Sequence, residues 1–161
     1  MDQHNLLRLM AHILPLSQAQ TIESAISEWD LVAVELSDEF DNCPCGQEIK
    51  EHCYIRNRVT GNNTYVGNVC IRRFLKIDTG SLFDGLKRIR DDSSANANEA
   101  LIEYAMERGF LWGDKEYQFL HDTKKKRNLS QSQVDWKVKI NRRILNKTVV
   151  GKRTLRENQE D

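Results

Sequence analysis

Apolar residues recur with helical spacing near the start of the chain, at Leu6, Leu7, Met10, Ile13 and Leu14. Positions three and four apart share one helix face, so the stripe predicts a helix ending at Pro15, which has no N–H to donate and clashes with the preceding turn. Ser17 with Gln20 three residues on has the form of a capping box, and Ile22, Ala25, Ile26 and Trp29 make the stripe of a second helix. Leu31, Val32, Val34 and Leu36 predict a short strand, and polar Asp38–Asn42 predicts a loop. Farther along, Ser81 is placed to cap a helix carrying Leu82, Phe83, Leu86 and Ile89, and Asp91–Ala97 is a polar interruption. Leu101, Ile102, Ala105 and Met106 mark the next helix, with Gly109 where a left-handed C-terminal residue belongs. Asp114–Lys125 predicts a short helix. Ser130 and Gln133 form a second capping box ahead of Val134, Val138, Asn141 and Leu145, with Trp136, Ile140 and Ile144 alongside. The polar end from Arg153 to Asp161 is expected to fray.

Between the two helical regions the pattern changes from period 3.6 to period 2. Tyr54-Ile55-Arg56-Asn57 and Thr64-Tyr65-Val66 flank the turn Thr60-Gly61-Asn62-Asn63, which predicts a β-hairpin. The cysteines of the chain, Cys43, Cys45, Cys53 and Cys70, all fall in and around this hairpin. In a reducing compartment such clustering points to metal ligands before disulfides, and four thiolates in a tetrahedron are the structural type of zinc site. In Cys43-Pro44-Cys45-Gly46, Pro44 stiffens the turn and Gly46 permits the positive φ that aims backbone N–H groups at sulfur. Cys53 and Cys70 supply the other half, Cys70 at the start of a helix with Ile71, Phe74 and Leu75. Knuckle, hairpin and helix follow one another in a treble-clef-like order. The usual knuckle separates its cysteines by a pair of residues, and here there is one. His52 competes with Cys53 for the third position. Neighbours on a strand face opposite sides, so only one of them can face the metal, and Cys53 is the reading adopted because it completes a uniform set.

The segment Cys43-Pro44-Cys45-Gly46 … Ile49-Lys50-Glu51-His52-Cys53-Tyr54-Ile55-Arg56-Asn57-Arg58-Val59-Thr60-Gly61 … Val66-Gly67-Asn68-Val69-Cys70-Ile71 … Phe74 resembles a group of small zinc-binding proteins of phages, prophages and large DNA viruses. Leu129-Ser130 … Gln133 … Trp136-Lys137 is similar to the helical tail of some of them. The resemblance implies four cysteine ligands and a viral or mobile-element origin, and it brings no activity with it.

Charge adds a second theme. Formal net charge is zero, yet residues 1–53 hold ten acids against Arg8 and Lys50, whereas residues 121–156 hold twelve bases against Asp122 and Asp135. A basic half of this strength reports a polyanionic partner, or else it neutralises the acidic half within the fold. Lys124-Lys125-Lys126-Arg127 precede the last helix, which carries Lys137, Lys139, Arg142, Arg143 and Lys147; Lys139, Arg142 and Arg143 share one helical turn. Together they can follow a phosphate backbone, with Arg72 and Arg73 beside Cys70 as a second basic patch; the alternative is a solvated helix face. Trp136 can stack on a base, but its place beside Ile140 and Ile144 favours the core.

No apolar run approaches the roughly 18 residues of a membrane span, and Met1–Leu14 lacks the basic start and cleavage site of a signal peptide. A cytoplasmic protein is expected, in the host cytoplasm if it is phage-encoded. The four histidines are scattered, His4 and His12 reading as a surface pair, and no phosphate loop or open metal site marks an enzyme. The expected fold is α+β, mainly helical, with a zinc-stapled treble-clef-like β-hairpin. It forms a single domain over 1–161, comprising N-terminal helices and strand (1–37), the zinc module (40–76) and a helical region (81–150). The expected function is non-catalytic: a zinc-binding accessory or regulatory protein contacting nucleic acid through its basic C-terminal half. The alternative is a protein–protein interaction module of phage or mobile-element type that inhibits a host or defence factor.

Overall fold

The computed structural model describes residues 3–151, so the expected fraying of 153–161 lies outside the described residues. The fold is mixed α+β, with helices on either side of a small antiparallel sheet in the chain order. Where the sequence reading drew one domain, the chain divides into two compact units, Met1–Gly80 and Ser81–Asp161.

Unit 1 opens with helix α1 (Gln3–Ile13), which buries Leu9 and Ile13 and runs into a 3-10 turn, Leu14–Leu16, around Pro15. The helix predicted from Ser17 does not form. Ser17 Oγ donates to the Ile13 carbonyl at 2.8 Å and accepts the Trp29 indole N–H at 2.9 Å, so it does not N-cap the predicted helix. The following backbone is held by Glu28, whose carboxylate accepts from the N–H groups of Gln18 and Ala19 at 2.8 and 2.9 Å and from the Asn57 amide at 3.0 Å. Only a single turn, α2 (Ile22–Ala25, capped by Thr21), and a 3-10 turn, Ile26–Glu28, remain of that helix.

Strand β1 runs from Trp29 to Asn42 and absorbs the predicted loop at Asp38–Asn42. Its charged end pairs as an edge strand, Asp41 with Ile49 and Asn42 with Glu48, beyond an irregular stretch after Leu36. Charged residues on an exposed edge suit a strand that must not recruit another chain. β2 (Glu48–Asn57) is central and pairs on its other side with β3 (Asn63–Gly67), placing Val34 opposite Cys53 and Cys53 opposite Val66. Helix α3 (Asn68–Leu75) follows at once and buries Cys70, Ile71 and Phe74. With Ile13, Trp29, Ile55 and Val66 these form the unit's core.

Unit 2 is helical. α4 (Gly80–Asp91) buries Leu82, Phe83, Leu86 and Ile89; Ser81 lies inside it, not before it as a cap. α5 (Glu99–Glu107) is capped by Asn98, whose side chain accepts the Leu101 N–H, and ends before Gly109 at φ +77°. α6 (Asp114–Thr123) and α7 (Gln131–Asn146) complete it, and α7 begins with the predicted capping box: Ser130 accepts from Gln133 N–H while the Gln133 side chain accepts from Ser130 N–H. Leu101, Ile102, Leu111, Leu120, Ile140 and Ile144 fill its interior.

Candidate metal centre and basic surface

Between β1 and β2 the chain makes the tight turn predicted for Cys43–Gly46. Gly46 N–H donates to the Cys43 carbonyl and Cys43 N–H to the Gln47 carbonyl, both at 2.8 Å, with Gly46 at φ +100°. The turn aims Cys43 and Cys45 at Cys70, which the first turn of α3 supplies from the far end of the hairpin. All three are buried, and their sulfurs lie within 4.8 Å of one another. Cys43 Sγ is 3.5 Å from Cys70 Sγ and accepts the Gly67 N–H at 3.4 Å. The hydrogen bond between the Cys43 and Cys70 sulfurs, assisted by backbone N–H groups of Cys45 and Gly67, pulls the Cys43 thiol below its ordinary value despite burial. The same bond pushes Cys70 upward, and burial does so for Cys45. A thiolate that already collects N–H donors, beside two further buried sulfurs, is a donor set that can hold a metal ion.

The structure brings three of the four cysteines into this group. Cys53 is fully buried on β2, but its sulfur faces Thr79 Oγ1 at 3.9 Å, and burial raises its thiol to about 12. His52 is not in the group either. It lies on the opposite strand face, as the alternation requires, with Nε2 3.2 Å from Asp41 Oδ2 and its ring 5.0 Å from that of Tyr65, while Nδ1 is buried without a hydrogen-bond partner. His12 is not the surface residue predicted: it is half-buried, 2.6 Å from Thr64 Oγ1. Desolvation lowers its pKa and the charge of Cys43 opposes that shift. Thr79 carried no sequence signal, and nothing along the chain tied His12 to the cysteines, because each comes near them only through the folding of α1 and the chain after α3.

The predicted basic residues divide. Arg72 and Arg73 are exposed on α3 in unit 1. In unit 2, Lys125, Lys126 and Arg127 are exposed in the loop between α6 and α7, with Lys124 half-buried at its start; Lys139 and Arg142 are exposed on α7. Lys137 is wholly buried, its Nζ lying 5.5 Å from the Phe119 ring centre without a hydrogen-bond partner, and desolvation lowers its pKa to about 8. Arg143 is bound to Glu116 through Nη2 at 2.5 Å and Nη1 at 2.9 Å, and to the Phe110 carbonyl at 2.8 Å. Neither is free to meet a phosphate. Trp136 is half-buried, stacked 4.1 Å from Phe119 with its indole N–H donated to Glu116 at 2.8 Å. Helical periodicity places all three on α7 but does not say that Glu116, on another helix, gathers two of them.

No helix among the described residues is long and apolar enough to cross a membrane. The chain matches no family model, no curated protein and no solved structure.

Proposed function

We propose that the protein is a zinc-binding accessory or regulatory protein, non-catalytic, that contacts nucleic acid through the basic surface of its C-terminal half. The observation that carries the metal is the buried trio Cys43, Cys45 and Cys70, with sulfurs within 4.8 Å of one another. Soft thiolates in a buried, tetrahedral-capable set select zinc, and Cys53, buried on the adjoining strand, is the fourth thiolate in this reading. The order of knuckle, hairpin and α3 makes the module treble-clef-like. Zinc there is structural: it supplies the cross-link that a small hairpin needs for stability, and a shell of four thiolates leaves no position for substrate or water. The exposed cations of the 124–127 loop, with Lys139 and Arg142, support nucleic acid as the partner.

Protein purified without chelator should contain one zinc per chain by elemental analysis, lost on Cys43→Ser. A metal content near zero overturns the zinc reading. The partner is tested separately, by titrating labelled DNA and RNA at several salt concentrations. Absence of binding at low salt replaces nucleic acid by a protein partner, for which the exposed acids Glu35, Asp38, Glu39 and Asp41 of β1 offer the contact surface.

A further inference from the structure

The cations of unit 2 are not spread evenly. Arg88 near the end of α4, Lys124, Lys126 and Arg127 line one groove of about 630 Å³, in which the acid on the wall is Asp92. Asp92 is already engaged, accepting from Ser94 N–H and Ser94 Oγ at 3.0 Å each, whereas none of the four cations is in an ion pair among the described residues. The walls are tied together. Asn96 donates to the Lys126 carbonyl at 2.9 Å, and Asn141 on α7 donates to the carbonyls of Ser93 and Ala95 at 2.9 and 3.0 Å. The groove is therefore built before any ligand arrives, which removes much of the ordering cost of binding.

We infer that this groove is a phosphate-binding site that holds a stretch of single-stranded nucleic-acid backbone, with Arg88, Lys124, Lys126 and Arg127 as its contacts. The inference rests on the nucleic-acid reading above and narrows it. Four cations against one carboxylate leave a net positive charge that favours a polyanion. The volume is in the range of roughly 300–1,000 Å³ that encloses small ligands, which suits a few nucleotides of one strand. The lining contains no aromatic ring, so bases have nothing to stack on and binding is indifferent to sequence. Arg88 had no place among the residues chosen from sequence because it stands 36 positions before Lys124, which only the helical fold brings to the same groove.

The test is fluorescence anisotropy with labelled single-stranded DNA, single-stranded RNA and duplex DNA on the full chain, with inorganic pyrophosphate as competitor. Four contacts to a single strand give a log-log salt slope of about −2.8, which is about a 50-fold loss of affinity between about 50 and 200 mM salt. Arg88→Gln with Arg127→Gln should reduce that loss to about 7-fold by removing two contacts, and Lys115→Gln, an exposed cation of α6 outside the groove, should leave it unchanged. Pyrophosphate should displace the single strand from the wild type. Photo-crosslinking of the wild type to a thiouridine oligonucleotide, which needs no variant to fold, should label peptides from 88–96 and 124–129. Strand binding that survives the groove substitutions and is lost with Lys139→Gln and Arg142→Gln, crosslinks confined to α7, or binding of duplex alone overturns the groove and leaves the nucleic-acid reading standing. No binding of any probe by the wild type at low salt overturns both.

Discussion

Replacing Glu116 by alanine removes a carboxylate that holds four donors at once: Trp112 N–H at 2.7 Å, Trp136 Nε1–H at 2.8 Å, and Arg143 Nη1 and Nη2 at 2.9 and 2.5 Å. The Glu116 side chain is 6% exposed and that of Arg143 16%, so water cannot take the place of the lost acceptor. Breaking a buried ion pair from one side leaves an uncompensated charge and costs about 3–5 kcal/mol, and here two N–H groups are orphaned with it. Glu116→Ala should therefore lower the stability of unit 2 by about 4 kcal/mol. Glu116→Gln keeps the shape and one good acceptor and should cost about 2 kcal/mol. Urea unfolding followed by tryptophan fluorescence and far-UV circular dichroism measures both, and Glu116→Ala with Arg143→Ala should fall short of the sum of the single losses by at least about 1 kcal/mol. Burial pushes the Glu116 carboxyl upward, but Arg143 and the N–H groups of Trp112 and Trp136 outweigh it and hold it below its ordinary value. A carboxyl with a depressed folded value stabilises fully above its unfolded value, 4.5, and loses that contribution as pH falls through the folded one, so Glu116→Gln should flatten the acid limb. A cost for Glu116→Ala under about 1 kcal/mol, typical of exposed pairs, would refute the reasoning and return Arg143 to the phosphate-binding set.

Lys137 carries the opposite dependence: its folded pKa of about 8 lies below the 10.5 of an unburied lysine, so the unfolded chain holds more protons between these values and stability should rise with pH across that window. Lys137→Met should abolish this rise in a series of urea titrations; an unchanged slope would show that the amine is not buried. Cys43→Ser should lose the metal and expose hairpin amides to hydrogen exchange, while amides of α4–α7 keep their protection. If Cys53→Ser retains full zinc, the fourth ligand is another group. Trp136→Phe should bind oligonucleotide like the wild type once its fold is verified, because the indole serves Glu116 and Phe119; a selective loss of affinity would restore its base-stacking role.

The cysteine knuckle, the hairpin and the helices of the second half were legible in the sequence because each depends on near neighbours: turn chemistry at Gly46 and Thr60–Asn63, a capping box at Ser130, and apolar residues at periods of 2 and 3.6. The errors lie where a distant residue outbids a local preference. Ser17 has the form of a cap, yet Glu28 captures the N–H groups of Gln18 and Ala19, and Trp29 takes the hydroxyl. Asp38–Asn42 is polar enough for a loop, yet β2 offers backbone partners and solvent accepts the charges at the sheet edge. Charge is the plainest case. The number of cations on and before α7 is a property of the sequence, but whether a cation faces solvent or the interior depends on what folds against it. Glu116 takes Arg143 inward, Lys137 is desolvated over Phe119, and Arg88 joins Lys124, Lys126 and Arg127 at one groove, because Coulombic and desolvation energies are set by distances in space that no spacing along the chain contains.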